Sequence, residues 1–233
     1  MTENLTIIGD ITKKVDRARA VGVMKQGGMV QMVCGYDNRG VASIFFDITN
    51  PNAVDLVVKR KSFENKSRQA LFGIMTPASV YGSVADLPYT INLEGINRAP
   101  CFLLTPIRDA ANFPEAAVKR KGNLPYALCF ISDAIDGFSE LVNTARKWGM
   151  EVGGTSQNVT GTGNIRRGEE ARVFFYQTPG PKMWLKTGVP LTGDSFTVLE
   201  LDPARPEAKL WRPGSSDYAL ACSLLGLAPI TKG

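Results

Sequence analysis

Val57-Val58-Lys59-Arg60-Lys61-Ser62-Phe63-Glu64-Asn65-Lys66-Ser67-Arg68-Gln69-Ala70-Leu71-Phe72-Gly73-Ile74 divides into two elements. The first part reads as a strand that emerges into solvent at Lys59. Ser62 then caps a helix over 63–72, because a serine hydroxyl accepts a bond from a free first-turn amide. Phe63, Ala70, Leu71 and Ile74 would face a core, while Lys59, Arg60, Lys61, Lys66 and Arg68 point outward. Cations around an aromatic suit a single nucleic-acid strand, since phosphates need positive charge and unstacked bases need a flat face. The same residues suit a solvated strand end and helix face. Phe63 has two readings, core residue or base-stacking platform.

On the N-terminal side, Thr49-Asn50-Pro51-Asn52 reads as a turn before a strand over 54–58. Met29–Cys34 and Val41–Ile48 are apolar, β-branched runs separated by Tyr36-Asp37-Asn38-Arg39-Gly40, which is hairpin chemistry. These three runs suggest a meander. A strand over 5–11 comes first, followed by a short basic helix over 12–21 that Gly22 ends.

Towards the C-terminus, Thr76-Pro77 signals a helix start with Thr76 as cap. Strands are expected at Tyr89–Leu93 and Ala99–Leu104. Pro114–Val118 reads as a short helix ending in Lys119-Arg120-Lys121, where cations complement the helix dipole. Val58-Lys59-Arg60-Lys61 recurs as Val118-Lys119-Arg120-Lys121, but the flanks differ and no duplication is implied. After a buried strand over 126–131, Ile135, Phe138, Leu141, Val142, Ala145 and Trp148 share one helical face directed at the core. The stretch 153–168 is polar and glycine-rich, as a mobile loop or arm would be. Ala171–Gln177 reads as a strand, as do Lys182–Lys186 and Ser195–Leu201. A helix over 218–225 follows a Ser216-Asp217 start signal. The fold class is therefore α+β, a mixed, largely antiparallel sheet with several short helices and no standard five-stranded barrel. Residues 1–233 would form one domain.

The chain has 233 residues, 44% of them hydrophobic, which suffices for a sizeable core. No signal peptide and no membrane-length apolar run is evident, so a cytoplasmic protein is expected. Cys34, Cys101, Cys129 and Cys222 are widely spaced in apolar runs and read as buried free thiols. There is no histidine, which excludes Ser-His and Cys-His catalysis and histidine-ligated metals. The prior therefore tilts away from an enzyme, and no cofactor is called for.

A net charge of +5 favours a polyanionic partner. Phosphate or base contacts are expected from Lys59, Arg60, Lys61, Phe63, Lys66, Arg68, Lys119, Arg120, Lys121, Arg166, Arg167, Tyr176, Lys182, Trp184 and Lys186. Trp184 between two lysines on one strand face is the sharpest of these features. Asp194 followed by Glu207-Ala208-Lys209 has the residues of a Mg²⁺-dependent nuclease, although Glu-x-Lys lies in a loop-like stretch rather than on a strand.

In overall character (basic, histidine-free, without a standard domain signature) the chain resembles the atypical single-stranded-DNA-binding proteins of bacteriophages that act as polymerase cofactors. That resemblance implies single-stranded DNA and a polymerase as partners, self-association, and no catalysis. A virion assembly protein and a nuclease are the alternatives.

Overall fold

The computed structural model describes residues 7–36, 38–61, 71–158 and 163–230. In chain order the elements begin with β1 (Ile7–Asp10), α1 (Lys14–Lys25), β2 (Met29–Tyr36), β3 (Arg39–Asp47), α2 (Pro51–Arg60), β4 (Gly73–Thr76) and α3 (Ala78–Val84). Next come β5 (Cys101–Pro106), β6 (Val118–Lys121), β7 (Leu124–Ile131), α4 (Phe138–Lys147) and β8 (Val152–Ser156). The chain continues through α5 (Gly168–Gln177), β9 (Lys182–Lys186), β10 (Thr197–Leu201), β11 (Glu207–Arg212), α6 (Tyr218–Leu225) and β12 (Ala228–Pro229).

The strands form one mixed, unclosed sheet in the order β1-β9-β2-β3-β8-β4-β7-β5-β10-β11-β12, with β6 added beside β7. This is the α+β class expected, and it is not a barrel. The β2–β3 hairpin pairs antiparallel from Val30↔Phe45 to Tyr36↔Arg39. Asn38 takes a positive φ of 59° in its turn, a conformation that asparagine tolerates. Among the described residues, no helix is long and apolar enough to cross a membrane.

Side chains alternate across a strand, so each face of the sheet collects its own core. On one face Ile44, Phe46, Ile74, Leu103, Cys129 and Leu199 pack with residues of α2, α3, α5 and α6. On the other, Val30, Met32, Phe45, Met75 and Phe130 pack with residues of α1 and α4. A smaller cluster of Leu104, Tyr126, Leu128 and Val198 continues that second face over β5, β7 and β10, and it contains no helical residue. The helical layer thus stops partway across the second face, and the boundary places the site described below.

Several elements differ from the sequence expectations for identifiable reasons. The run over 54–58 is helical, not a strand. Asn50 caps α2, its side chain accepting from the amides of Asn52 (3.0 Å) and Ala53 (3.4 Å), and Pro51 occupies the first turn. Asn50→Ala is expected to cost about 1 kcal/mol of stability. Urea denaturation tests this, and an unchanged midpoint would show the cap to be dispensable. Ala171–Gln177 is also helical: Glu169 and Glu170 complement the start of α5, and Phe174 and Phe175 are buried.

Lys119-Arg120-Lys121 lies on a strand rather than at a helix end, preceded by a 3-10 turn at Glu115–Ala117. Helix α1 runs through Gly22 to Lys25, since one glycine weakens a helix without ending it. Thr76 ends β4; the cap of α3 comes from Asp133, whose carboxylate accepts from the Ala78 amide at 2.7 Å. No strand forms over 89–93. Trp148 follows α4 and is 47% exposed, with the Lys25 ammonium 4.9 Å from its ring centroid, so it lies outside the core. Of the expected Ser62-capped helix over 63–72, residues 62–70 lie outside those described, and 71–72 are not helical but lead into β4.

Candidate functional site

At the edge of the α1–α4 layer the sheet encloses a cavity of about 110 Å³. The hairpin supplies Cys34, Val41, Ser43 and Phe45, the middle strands supply Met75, Phe102, Leu128 and Phe130, and α4 supplies Phe138. Gly73 and Gly154, paired in register across β4 and β8, also line it. A Cβ on Gly73 would come 2.5 Å from Phe102 Cε1, and one on Gly154 would come 2.9 Å from Phe45 Cε1. Bare backbone therefore lines the cavity there because no side chain fits among the rings. Phe102–Phe130 (5.0 Å between centroids) and Phe130–Phe196 (4.9 Å) form its aromatic wall.

Apart from Leu71, the rest of the lining is polar: Ser43, Thr155, Ser156, Asn164, Ser195 and Arg212. Ser156 closes β8, and its hydroxyl donates to Asn158 Oδ1 at 2.6 Å. Asn164 Nδ2 donates to the Gly193 carbonyl at 2.9 Å, tying the segment after β8 to the approach to β10. Lys61, just past the end of α2, is 4% exposed, and its ammonium donates to Ser156 O (2.6 Å) and Asn158 Oδ1 (3.2 Å). Burial pushes its pKa down to about 8, and no carboxylate among the described residues pairs with it. Its described acceptors are neutral oxygens, so no described carboxylate offsets the buried charge.

Arg212 ends β11 beside the cavity, its Nη2 donating to Phe196 O at 3.4 Å. Much of this residue is exposed, yet its guanidinium loses enough water to lower its pKa. The Cys34 thiol is pushed up to about 12 by burial, so it stays protonated and is a poor nucleophile at neutral pH.

The cations expected to meet phosphate do not share one surface. Successive residues of a helix point about 100° apart. Lys59 therefore faces solvent, Lys61 turns towards β8, and Arg60 turns onto α5, its guanidinium 3.9 Å from the Phe174 ring centroid. Lys119 lies 4.8 Å from the Trp211 ring centroid, Arg120 is exposed, and Lys121 pairs with Glu200. Arg166 and Arg167 are exposed, the latter 4.0 Å from Glu170.

On β9, Lys182 is buried and donates to the carbonyls of Tyr176 (2.9 Å) and Thr178 (2.8 Å). Trp184 is half-buried edge-on against Phe175, while Tyr176 and Lys186 are exposed. Five strand steps, roughly 24 Å, separate β9 from β7, which carries the Lys119–Lys121 strand at its side. Lys119 and Lys121 also lie on the opposite face of the sheet from Lys182, Trp184 and Lys186. Phe63, Lys66 and Arg68 lie outside the described residues.

Glu207-Ala208-Lys209 is on strand β11, contrary to the loop reading. Glu207 instead pairs with Arg205 (3.6 Å), and Asp194 accepts from Thr192 (2.8 Å). Among the described residues no three metal-ligating side chains converge. Sequence reasoning missed Ser43, Ser156, Asn158, Asn164, Ser195 and Arg212. Only the polar character of 153–168 pointed towards three of them.

No protein-family model and no curated protein matches the chain. Solved structures do match. Sua5 from P. abyssi complexed with L-threonine superposes with a TM-score of 0.65 at 18% identity, over 97% of this chain and 63% of that one. A double variant of the same protein is covered over 66% of its length, so the chain spans about two thirds of Sua5. E. coli YciO gives 0.62 at 15% identity, over 93% of this chain and 98% of that one. Full-length HypF in its phosphate- and nucleotide-bound form gives 0.59 at 12%, over 85% of this chain and 29% of that one.

These likenesses are of fold, and they overturn the expected kinship. The architecture is that of Sua5, YciO and HypF, not of a phage single-stranded-DNA-binding protein, and solved examples hold an amino acid or a nucleotide. The expectations of single-stranded DNA and a polymerase as partners, of a viral transcription role, and of a non-enzyme fall with it. Neither the assembly-protein nor the nuclease alternative gains support.

Proposed function

We propose that the chain is an enzyme that binds a phosphate-bearing nucleotide together with a small amino acid at the cavity and transfers a group between them. The observation that carries this reading is Lys61, a buried cation that no carboxylate among the described residues pairs with, whose ammonium bonds the carbonyl of Ser156, a residue of the cavity lining. Lys61 and Arg212 would neutralise phosphate or carboxylate charge, which a guanidinium can grip through two parallel bonds. Ser156 and Asn164, both in the cavity lining, would orient the ligand. The phenylalanine wall would receive its less polar part.

The chain has no histidine, and its cavity thiol is protonated at neutral pH. Its own residues therefore suit catalysis by positioning and charge stabilisation, without a covalent enzyme intermediate. The solved relatives with L-threonine and with phosphate and nucleotide support the choice of ligands.

Isothermal titration with ATP and with L-threonine tests the proposal. Saturable binding of both is expected, with Arg212→Gln weakening ATP about tenfold, the scale of one charge-assisted contact. Absence of binding by either ligand at millimolar concentration would reject it.

A further inference from the structure

Arg60 sits between two cations yet is not among the residues that line the cavity. Its Nη2 donates to the Phe174 carbonyl (3.3 Å) and to Gln177 Oε1 (3.1 Å), and its Nε to Thr178 Oγ1 (3.4 Å). Its guanidinium also lies flat enough on Phe174 to bring Cζ within 3.9 Å of the ring centroid. All of these partners belong to the last turn of α5 or the residue after it, where carbonyls lack helical donors and the dipole is negative.

The other end of α5 is held from the site. Gln157 lies between Ser156 and Asn158, is 1% exposed, and donates through Nε2 to the Ala171 carbonyl at 2.5 Å. Its own amide donates to Ala42 O of β3 at 2.7 Å. An open groove of about 470 Å³ runs between these two anchors, with Arg60 and Asn158 both on its wall. Helix α5 is therefore fastened at its C-terminal end by the residue before Lys61 and near its start by the residue after Ser156.

We propose that Arg60 and Gln157 are positioning residues, which hold α5 and through it Asn164, the lining residue just ahead of that helix. This rests on the functional reading above. Neither residue touches the ligand; each acts through α5 on where Asn164 sits. The planar fork of arginine matters here, because a lysine keeps the charge but loses the paired bonds and the stacked face.

The test compares wild type with Arg60→Met, Arg60→Lys and Gln157→Ala. It measures hydrogen exchange over 163–178 and the Kd for ATP. Arg60→Met is expected to speed exchange in α5 at least tenfold, leave the β2–β3 hairpin unchanged, and weaken ATP about tenfold. Arg60→Lys should recover only part of either effect. Gln157→Ala should do the same as Arg60→Met from the other end, and it decides the matter if Arg60→Met does not fold. Unchanged exchange would overturn the proposal. Faster exchange with unchanged affinity would overturn it too, because α5 would then be structural only. Failure of wild type to bind ATP is seen before any variant is made; it sinks the functional reading and this inference with it, whereas failure in the variants alone sinks only this inference.

Discussion

Replacing Lys61 with methionine is expected to raise the Kd for ATP about a hundredfold, equivalent to about 2.7 kcal/mol. Methionine keeps most of the apolar stem, so the loss reports the ammonium. A contact to a charged group is worth about 1.5–3 kcal/mol, and the low polarity around a side chain that is 4% exposed favours the upper end. Wild-type affinity in this variant would remove Lys61 from the site.

The same residue imposes a pH signature. Its pKa is about 8 in the fold, against 10.5 ordinarily. Below pH 8 both folded and unfolded chains carry the proton, and the fold bears the full cost of burying the charge. Between pH 8 and 10.5 the folded chain releases a proton that the unfolded chain keeps. Stability therefore rises with pH in that window, by an amount on the order of 3 kcal/mol. The buried thiols act in the opposite sense. Cys34, Cys101 and Cys129 are pushed up to about 12 and Cys222 to about 11, so above pH 9 the unfolded chain loses protons that the fold retains. The Lys61 contribution is thus the difference between wild type and Lys61→Met in urea denaturation at pH 7 and pH 10. ATP affinity should move the other way, weakening as pH passes 8.

Phe130→Ala is expected to cost about 3–5 kcal/mol of unfolding free energy, the usual range for deleting a buried ring. Phe130 is 2% exposed on β7, beside β4 and β5, and its ring meets both Phe102 and Phe196. Each such ring pair adds about 0.5–1.5 kcal/mol beyond the area it buries. Phe102 lies on a strand fixed by backbone pairing and Phe196 immediately precedes another, so the space cannot readily collapse. The ring also walls the cavity, so the variant should lose ligand affinity as well as stability. A urea midpoint shift worth less than about 1 kcal/mol would mean that the aromatic wall relaxes freely.

The fold class was legible because alternating and helical patterns survive in single segments. The β2–β3 hairpin, β7, β9, β10, α4 and α6 all show them. The misread segments are those where local preference and tertiary demand compete. Val54, Val57 and Val58 favour a strand, but the Asn50-Pro51 start and a core-facing Ala53 and Val57 make a helix. Phe174-Phe175-Tyr176 also favours a strand, yet the carbonyls at the end of α5 are met by Arg60 and Lys182 from elsewhere.

The site was less legible for a related reason. Lys61, Ser156 and Arg212 come from separate parts of the chain: sheet pairing puts Ser156 and Arg212 on one cavity, and Lys61 reaches it through its bond to Ser156. The Lys59–Lys61 charge run was visible, but the direction of each cation depended on a helix that had been read as a strand.

Strand β9 inserts between β1 and β2, and β1 pairs with no other described strand. Residues 7–10 must therefore wait for residues 183–186 before their ladder can form. A ribosome that has released only the first half of the chain exposes β1 without a partner and β2 with one edge bare. Closing so long a loop is entropically costly and slow. β1, synthesised before β9, would thus be among the last to dock, and truncation before Lys182 would leave β1 and β2, the two strands that flank β9, open to pairing with another chain.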